Sequence, residues 1–266
     1  CLTRAKRGSG LKRQVLPSAP IPRNWHDFLR SDANKTGLFR FLAEKLAAMT
    51  HVVEKLVVVT NETSVLTNLC DYDVCKLQPC SQEEADTRIF LHIADQVYSG
   101  HTDILIRTVD SDVVVLAVAF QRQLGCRQLW LAFGTGRHFR YISAHELASA
   151  LGSDRARALP LFHAITGCDT VSAFVGRGKK TCWEMWKKYP EITDTFLQLC
   201  QAPCDISATC LAVLERFIVL LYDSSSVCTT VNIARRKLFA QKGKSVENIP
   251  PTQDALLQHI RRAIYQ

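Results

Sequence analysis

Residues 103–109, DILIRTV, concentrate aliphatic and β-branched side chains and then stop on two acids, Asp110 and Asp112. Such a run reads as a strand. An Asp at the carboxyl end of a strand is where α/β sheets place ligand-binding groups. If the strand continued through the acids, its two-residue period would point both carboxylates the same way. This constrains the first two thirds of the chain to an α/β layer architecture, and the flanking segments agree. Residues 56–59, LVVV, read as a short buried strand. Residues 129–133 and 138–142 flank Gly134-Thr135-Gly136 and read as a β-hairpin. Helices are expected over 34–49, from Ser81 to about Tyr98 with a turn at Gly100, from a Ser143 cap to Gly152, and over 154–166. Residues 113–124 stay open: β-branched composition favours a strand, length favours a helix. Residues 60–80 read as loop. After Lys188 the pattern turns helical, with segments at 193–199, 208–222, 230–241 and 253–265 separated by Pro203, 224–226 and Pro250-Pro251.

The totals bound the partners. With 266 residues and 47% hydrophobic content the chain can bury a sizeable core, and its net charge of +8 favours anionic partners. The longest clean apolar run, 113–120, is too short to span a bilayer. The chain therefore reads as soluble and without a membrane partner. Its 11 scattered cysteines argue for reduced thiols in an intracellular compartment. Neither Cys70, Cys75, Cys80 nor Cys200, Cys204, Cys210 has the spacing structural zinc requires. Residues 1–30 form a basic arm in which Pro17, Pro20 and Pro22 forbid a long helix. It reads either as a solvated segment or as one that touches phosphate.

Chemistry is concentrated in four stretches. Glu83-Glu84-Ala85-Asp86 opens one helix, and Asp110-Ser111-Asp112 ends a strand. Asp169 follows Gly167-Cys168, and Gly176-Arg177-Gly178-Lys179-Lys180 comes seven residues later. Each acid has a bland reading as a first-turn or turn residue. Together they have a sharper one, because clustered carboxylates repel unless a cation is bound. Hard oxygen ligands select Mg²⁺ or Mn²⁺, and two such ions about 4 Å apart serve phosphodiester cleavage. The acids are then expected to converge at one sheet edge. The turn at 176–180 can present backbone N–H groups and the Lys179 and Lys180 charges to duplex phosphates. His92 and His163 read as core histidines, and Trp183 and Trp186 as core aromatics.

The succession EEAD, TVDSD, TGCD and GRGKK resembles the 5′-nuclease superfamily, the flap-endonuclease and XPG-type enzymes with a PIN-like fold. The likeness covers about residues 80–185. It implies a PIN-like three-layer fold with a mostly parallel sheet over 31–188, a helix-two-turn-helix-like turn at 175–186 and a helical extension over 189–266. It also implies a structure-selective nuclease acting on DNA with two Mg²⁺ or Mn²⁺ ions, located in the nucleus. On this resemblance Glu84, Asp86, Asp110, Asp112 and Asp169 are catalytic and metal-binding. Gly176, Gly178, Lys179 and Lys180 bind nucleic acid. Arg4, Lys6 and Arg7 resemble the end of a basic gateway helix, which places the family's first strands, with two further metal-binding Asp residues, upstream of Cys1. Asp86 stands where the family more often has Glu. The alternative is a catalytically inactive nucleic-acid-binding or scaffold protein keeping the fold. The chain also resembles repetitive, mobile-element-derived proteins of fish and cnidarian genomes, through EEADTR, VDSDVVVL, FHAITGCDT, PIPRNWHDFLR, ARRKLF and PPTQ.

Overall fold

The computed structural model describes residues 12–49, 55–81, 85–201, 206–241 and 248–266. Glu84, Arg4, Lys6 and Arg7 lie outside them. The chain divides into two units, Cys1–Asp95 and Gln96–Gln266.

The first unit holds helices α1 (Trp25–Phe28) and α2 (Asp32–Ala47), strands β1 (Val58–Asn61) and β2 (Ser64–Thr67), and most of α3 (Ala85–Tyr98). Asn24 starts α1 by accepting from the Asp27 N–H at 3.2 Å, an ordinary Asn cap. Asn34, fully buried, ties α2 to the preceding chain. Its amide donates to the Phe28 carbonyl at 2.9 Å and its carbonyl accepts from the Arg13 N–H at 2.8 Å. Strands β1 and β2 pair antiparallel as a separate two-stranded sheet. Residues 60–80 are thus not all loop: they contain β2 and a 3-10 turn at Cys75–Leu77. The sequence hides β2 because only Val65 of its four residues is buried, so no alternation shows. Buried Arg88 donates to the Leu77 carbonyl and to Thr60 Oγ1, which fastens α3 to both.

The second unit begins with β3 (Asp103–Thr108), α4 (Ser111–Leu124), β4 (Gln128–Phe133), β5 (Arg140–Ser143), α5 (Ala144–Leu151) and α6 (Ser153–Ile165). It continues with α7 (Lys179–Lys188), α8 (Ile192–Gln201), α9 (Ala208–Tyr222), α10 (Val231–Phe239) and α11 (Gln253–Tyr265). The open segment 113–124 is helix, between an Asp110 cap and a left-handed Gly125. The sheet order is β3-β4-β5, with β3 parallel and β5 antiparallel to β4. The expected hairpin forms, and this sheet is mixed rather than mostly parallel. Ile106, Leu129 and Leu131 are buried on one face, where α4 and α5 pack against β4.

A second core joins the helices. It runs from Ala158 to Ala263 without a break at residue 188. Trp186 lies at its centre with Phe162 stacked 4.7 Å away, and Trp183 packs against the same cluster. Both tryptophans are core aromatics, as their helical spacing predicts.

Candidate active site

Strand β3 ends at Thr108, so Asp110 and Asp112 do not share a strand face. The Asp110 N–H donates to Thr108 Oγ1 at 3.0 Å, and Asp110 Oδ1 accepts from the Asp112 N–H at 2.9 Å. Asp110 is therefore the N-cap of α4, and Asp112 lies in its first turn, where the helix dipole favours a carboxylate. Asp112 points elsewhere: its Oδ1 accepts from His163 Nε2 at 2.9 Å. That partner places the ring proton on Nε2.

His163 sits in the last turn of α6, and the next turn of chain is held by Lys179. The Lys179 ammonium donates to the His163 carbonyl at 2.7 Å and to Thr166 Oγ1 at 3.2 Å. A cation thus meets the His163 carbonyl, shared with the Thr166 hydroxyl, at a helix C-terminus, where the dipole favours it. Desolvation lowers the Lys179 pKa, with Cys168 and Asp112 opposing. The expectation paired Lys179 with Lys180 at phosphate. In the structure Lys179 bonds these two oxygens while remaining exposed, and Lys180 is exposed beside it at the start of α7.

The loop after α6 is tightly built. Gly167 has φ +104°, and the Cys168 N–H donates to the Val171 carbonyl at 3.0 Å. Asp169 is exposed. The last helix braces this loop: His259 Nε2 donates to the Ile165 carbonyl at 2.8 Å, and Thr170 donates to Gln266 Oε1. The 176–180 turn uses Gly176 in the left-handed region, φ +67°, and Gly178 as N-cap of α7. Between them the Arg177 guanidinium lies 4.9 Å over the Tyr222 ring, so this cation is also partly committed.

The acid pair at 110–112 therefore meets, in the second unit, the TGC segment at 166–168 and Lys179 of the nearby GRGKK turn. His163 joins them, although its place in an apolar helix suggested only core. Asp86 is in the first turn of α3, in the first unit.

A metal centre was expected from the acids. Among the described residues, no group of three or more His, Cys, Asp or Glu side chains could hold a metal ion. Asp110 is occupied as a cap and Asp112 by His163. The described residues of the second unit thus do not by themselves fit a two-ion cage, and no hydrolytic step is assigned through one. No helix among the described residues is long and apolar enough to cross a membrane.

Burial sets the pH response. Desolvation is the first cause lowering the pKa of His92, His163 and His259; the Arg88 charge adds to it for His92 and the Lys179 charge for His163, while for His259 the Ile165 carbonyl opposes it. A histidine lowered on folding binds fewer protons in the native state. Its stabilisation is then complete above the ordinary range near pH 6.5 and is lost as pH falls through it. Urea unfolding from about pH 7.5 to about pH 5 should show a falling midpoint, and His259→Gln should flatten the fall. A midpoint that rises on acidification contradicts this account.

No family model matches the chain, no curated protein matches it significantly, and no solved structure does so.

Proposed function

We propose that this chain is a nuclease of the 5′-nuclease type, hydrolysing DNA phosphodiesters with Mg²⁺ or Mn²⁺ in the nucleus, on a PIN-like fold. The carrying observation is the meeting of the acid pair, the TGC segment and the GRGKK turn around His163 and Lys179. The acid pair reaches across 51 residues to His163, which a chance first-turn acid has no reason to do. The net charge of +8 suits a polyanionic substrate. In this reading Asp110 and Asp112 are the carboxylates nearest the chemistry. Lys180 and the glycine turn hold the phosphate backbone, and Lys179 fixes the loop before Asp169. A two-ion centre needs more carboxylates than Asp110 and Asp112 supply. The roles of Glu84, Asp86 and Asp169 rest on their motifs.

Two observations favour a second reading, an inactive protein that binds nucleic acid. The Asp112 carboxylate is already satisfied by His163, and the described residues show no three-ligand cluster.

The test is cleavage of labelled single-stranded, duplex and flapped DNA by the full chain in Mg²⁺, Mn²⁺ or chelator. Cleavage that needs the metal and disappears in Asp112→Asn supports the nuclease. Binding without cleavage in either metal supports the second reading. Cleavage that persists in chelator, or in Asp112→Asn, removes the metal-dependent assignment.

A further inference from the structure

The β3-β4-β5 sheet has one face under helices, and the register defines the other. It sets Leu105 and Arg107 of β3 beside Trp130 and Ala132 of β4 and Tyr141 of β5. That face is open at Tyr141, 62% exposed, Leu105, 59%, and nearby Phe139, 41%, while Ala132 between them is buried and Trp130 is half-buried. Its rings are nonetheless held in place. Phe139 stands edge-on to Tyr141 at 5.2 Å, and the Arg107 guanidinium lies 5.4 Å over Phe139. That guanidinium is fixed by the carbonyls of Thr108, Ala132 and Gly134 at 2.7, 2.9 and 2.7 Å. Exposed apolar surface of this kind on a folded protein marks an interaction site.

Charge selects the occupant. The segment 127–143 has no Asp or Glu; of its cations Arg137 and His138 sit in the turn leading to Phe139, while Arg140 lies over the Phe133 ring on the helix-covered side. Asp103, at the far end of the same face, is ion-paired with Arg127. Two copies of so cationic a face would repel one another. A polyanion whose flat, unpaired bases stack on protein rings meets both demands, charge and aromatic surface. A duplex meets only the first, because its bases are already stacked.

We propose that this open sheet face binds a single-stranded polynucleotide, with bases stacked on Tyr141 and Phe139 and phosphates drawn by Arg107 and Arg137. The site is distinct from the 176–180 turn, which was expected to hold duplex backbone. It lies beside the acid pair: the Gly134 N–H donates to the Thr108 carbonyl at 3.2 Å, and Thr108 Oγ1 accepts from the Asp110 N–H at 3.0 Å. Gly134 in turn lies against the His138–Phe139 backbone, so the proposed path leads from Phe139 toward Asp110. The inference does not need hydrolysis, since binding is read in chelator.

The experiment is fluorescence anisotropy of the full chain with labelled twelve-residue oligo-dT, oligo-U and a blunt duplex, in chelator. The intact protein should bind the single strands more tightly than the duplex. Phe139→Ala with Tyr141→Ala should weaken single-strand binding about tenfold or more, from the stacking of one to two bases, and leave duplex binding within about twofold. Phe139→Tyr with Tyr141→Phe should retain it. Equal affinity of the oligo-dT and oligo-U arms leaves the site general to both strands, and a preference for one identifies the natural strand. A double-alanine variant that binds oligo-dT as tightly as the intact protein overturns the proposal, as does an equal loss for the duplex. If that variant does not fold, photocrosslinking of the intact protein to 5-iodouracil-substituted oligo-dT decides. Crosslinks in 137–141 support the site, and crosslinks confined elsewhere overturn it.

Discussion

Trp186→Ala is expected to lower stability by about 3–5 kcal/mol, the range for deleting a large buried aromatic. Trp186 is 1% exposed. Its ring stacks on Phe162 at 4.7 Å and meets Trp183 and Phe196 edge-on at 5.2 and 5.5 Å. Truncation removes these contacts and leaves a cavity among α6, α7 and α8, whose backbones are fixed by the rest of the core. It also removes a donor: Trp186 Nε1 donates to Thr193 Oγ1 at 2.9 Å, and Thr193 is buried, so the lost hydrogen bond adds to the cost. Trp186→Phe keeps most of the volume and the aromatic contacts but not the hydrogen bond, so it should cost roughly half as much. Urea unfolding of the three proteins measures this. A loss below about 1.5 kcal/mol for the alanine variant would show that the site collapses around the gap, contrary to a close-packed core. The effect should reach function as well, because α6 carries His163 and α7 carries Lys179.

What could be read from the sequence follows how local the cause is. Helices α9 and α11 lie where expected, because Ser207 and Thr252 cap them with their own hydroxyls and α11 follows Pro250-Pro251. The β4–β5 hairpin was legible from its glycines. Residues 113–124 were not decidable locally. Their β-branched residues suit a strand, and it is the Asp110 cap with Gly125 at the other end that makes them α4. The acid pair was found, but its geometry was misjudged by extending β3 through it. Lys179 and His163 were the hardest. Their meeting depends on packing α7 against the end of α6, which no short window contains. For the same reason the hairpin was visible while the exposure of Tyr141 on its open face was not. Asp86 lies in the first turn of α3, where a helix start was expected, and Glu84 lies outside the described residues.

Gly167→Ala is expected to cost about 3 kcal/mol or more, through two separable effects. At φ +104° a Cβ is strained by about 1–3 kcal/mol whatever the space around it. The added Cβ would also lie 2.7 Å from Ala173 Cβ, 2.9 Å from its Cα and 3.1 Å from its backbone nitrogen. None of these is a flexible side-chain tip, so backbone must move, with an overpacking cost of about 1–3 kcal/mol. Gly100 is the natural control. Its φ is +96° and a Cβ there meets nothing within 4 Å, so Gly100→Ala carries the strain without the crowding. The difference between the two variants isolates the crowding. Adding Ala173→Gly to Gly167→Ala should recover part of it, since one of the three close atoms is removed. The crowded segment is the one whose Cys168 N–H closes on the Val171 carbonyl at 3.0 Å, and it carries Asp169. Under the nuclease reading Gly167→Ala should therefore lose cleavage even at temperatures where it stays folded, while Gly100→Ala should not. Equal unfolding free energies for Gly167→Ala and Gly100→Ala would mean that the loop yields to the added carbon and that its close approach to Ala173 is not required by the fold.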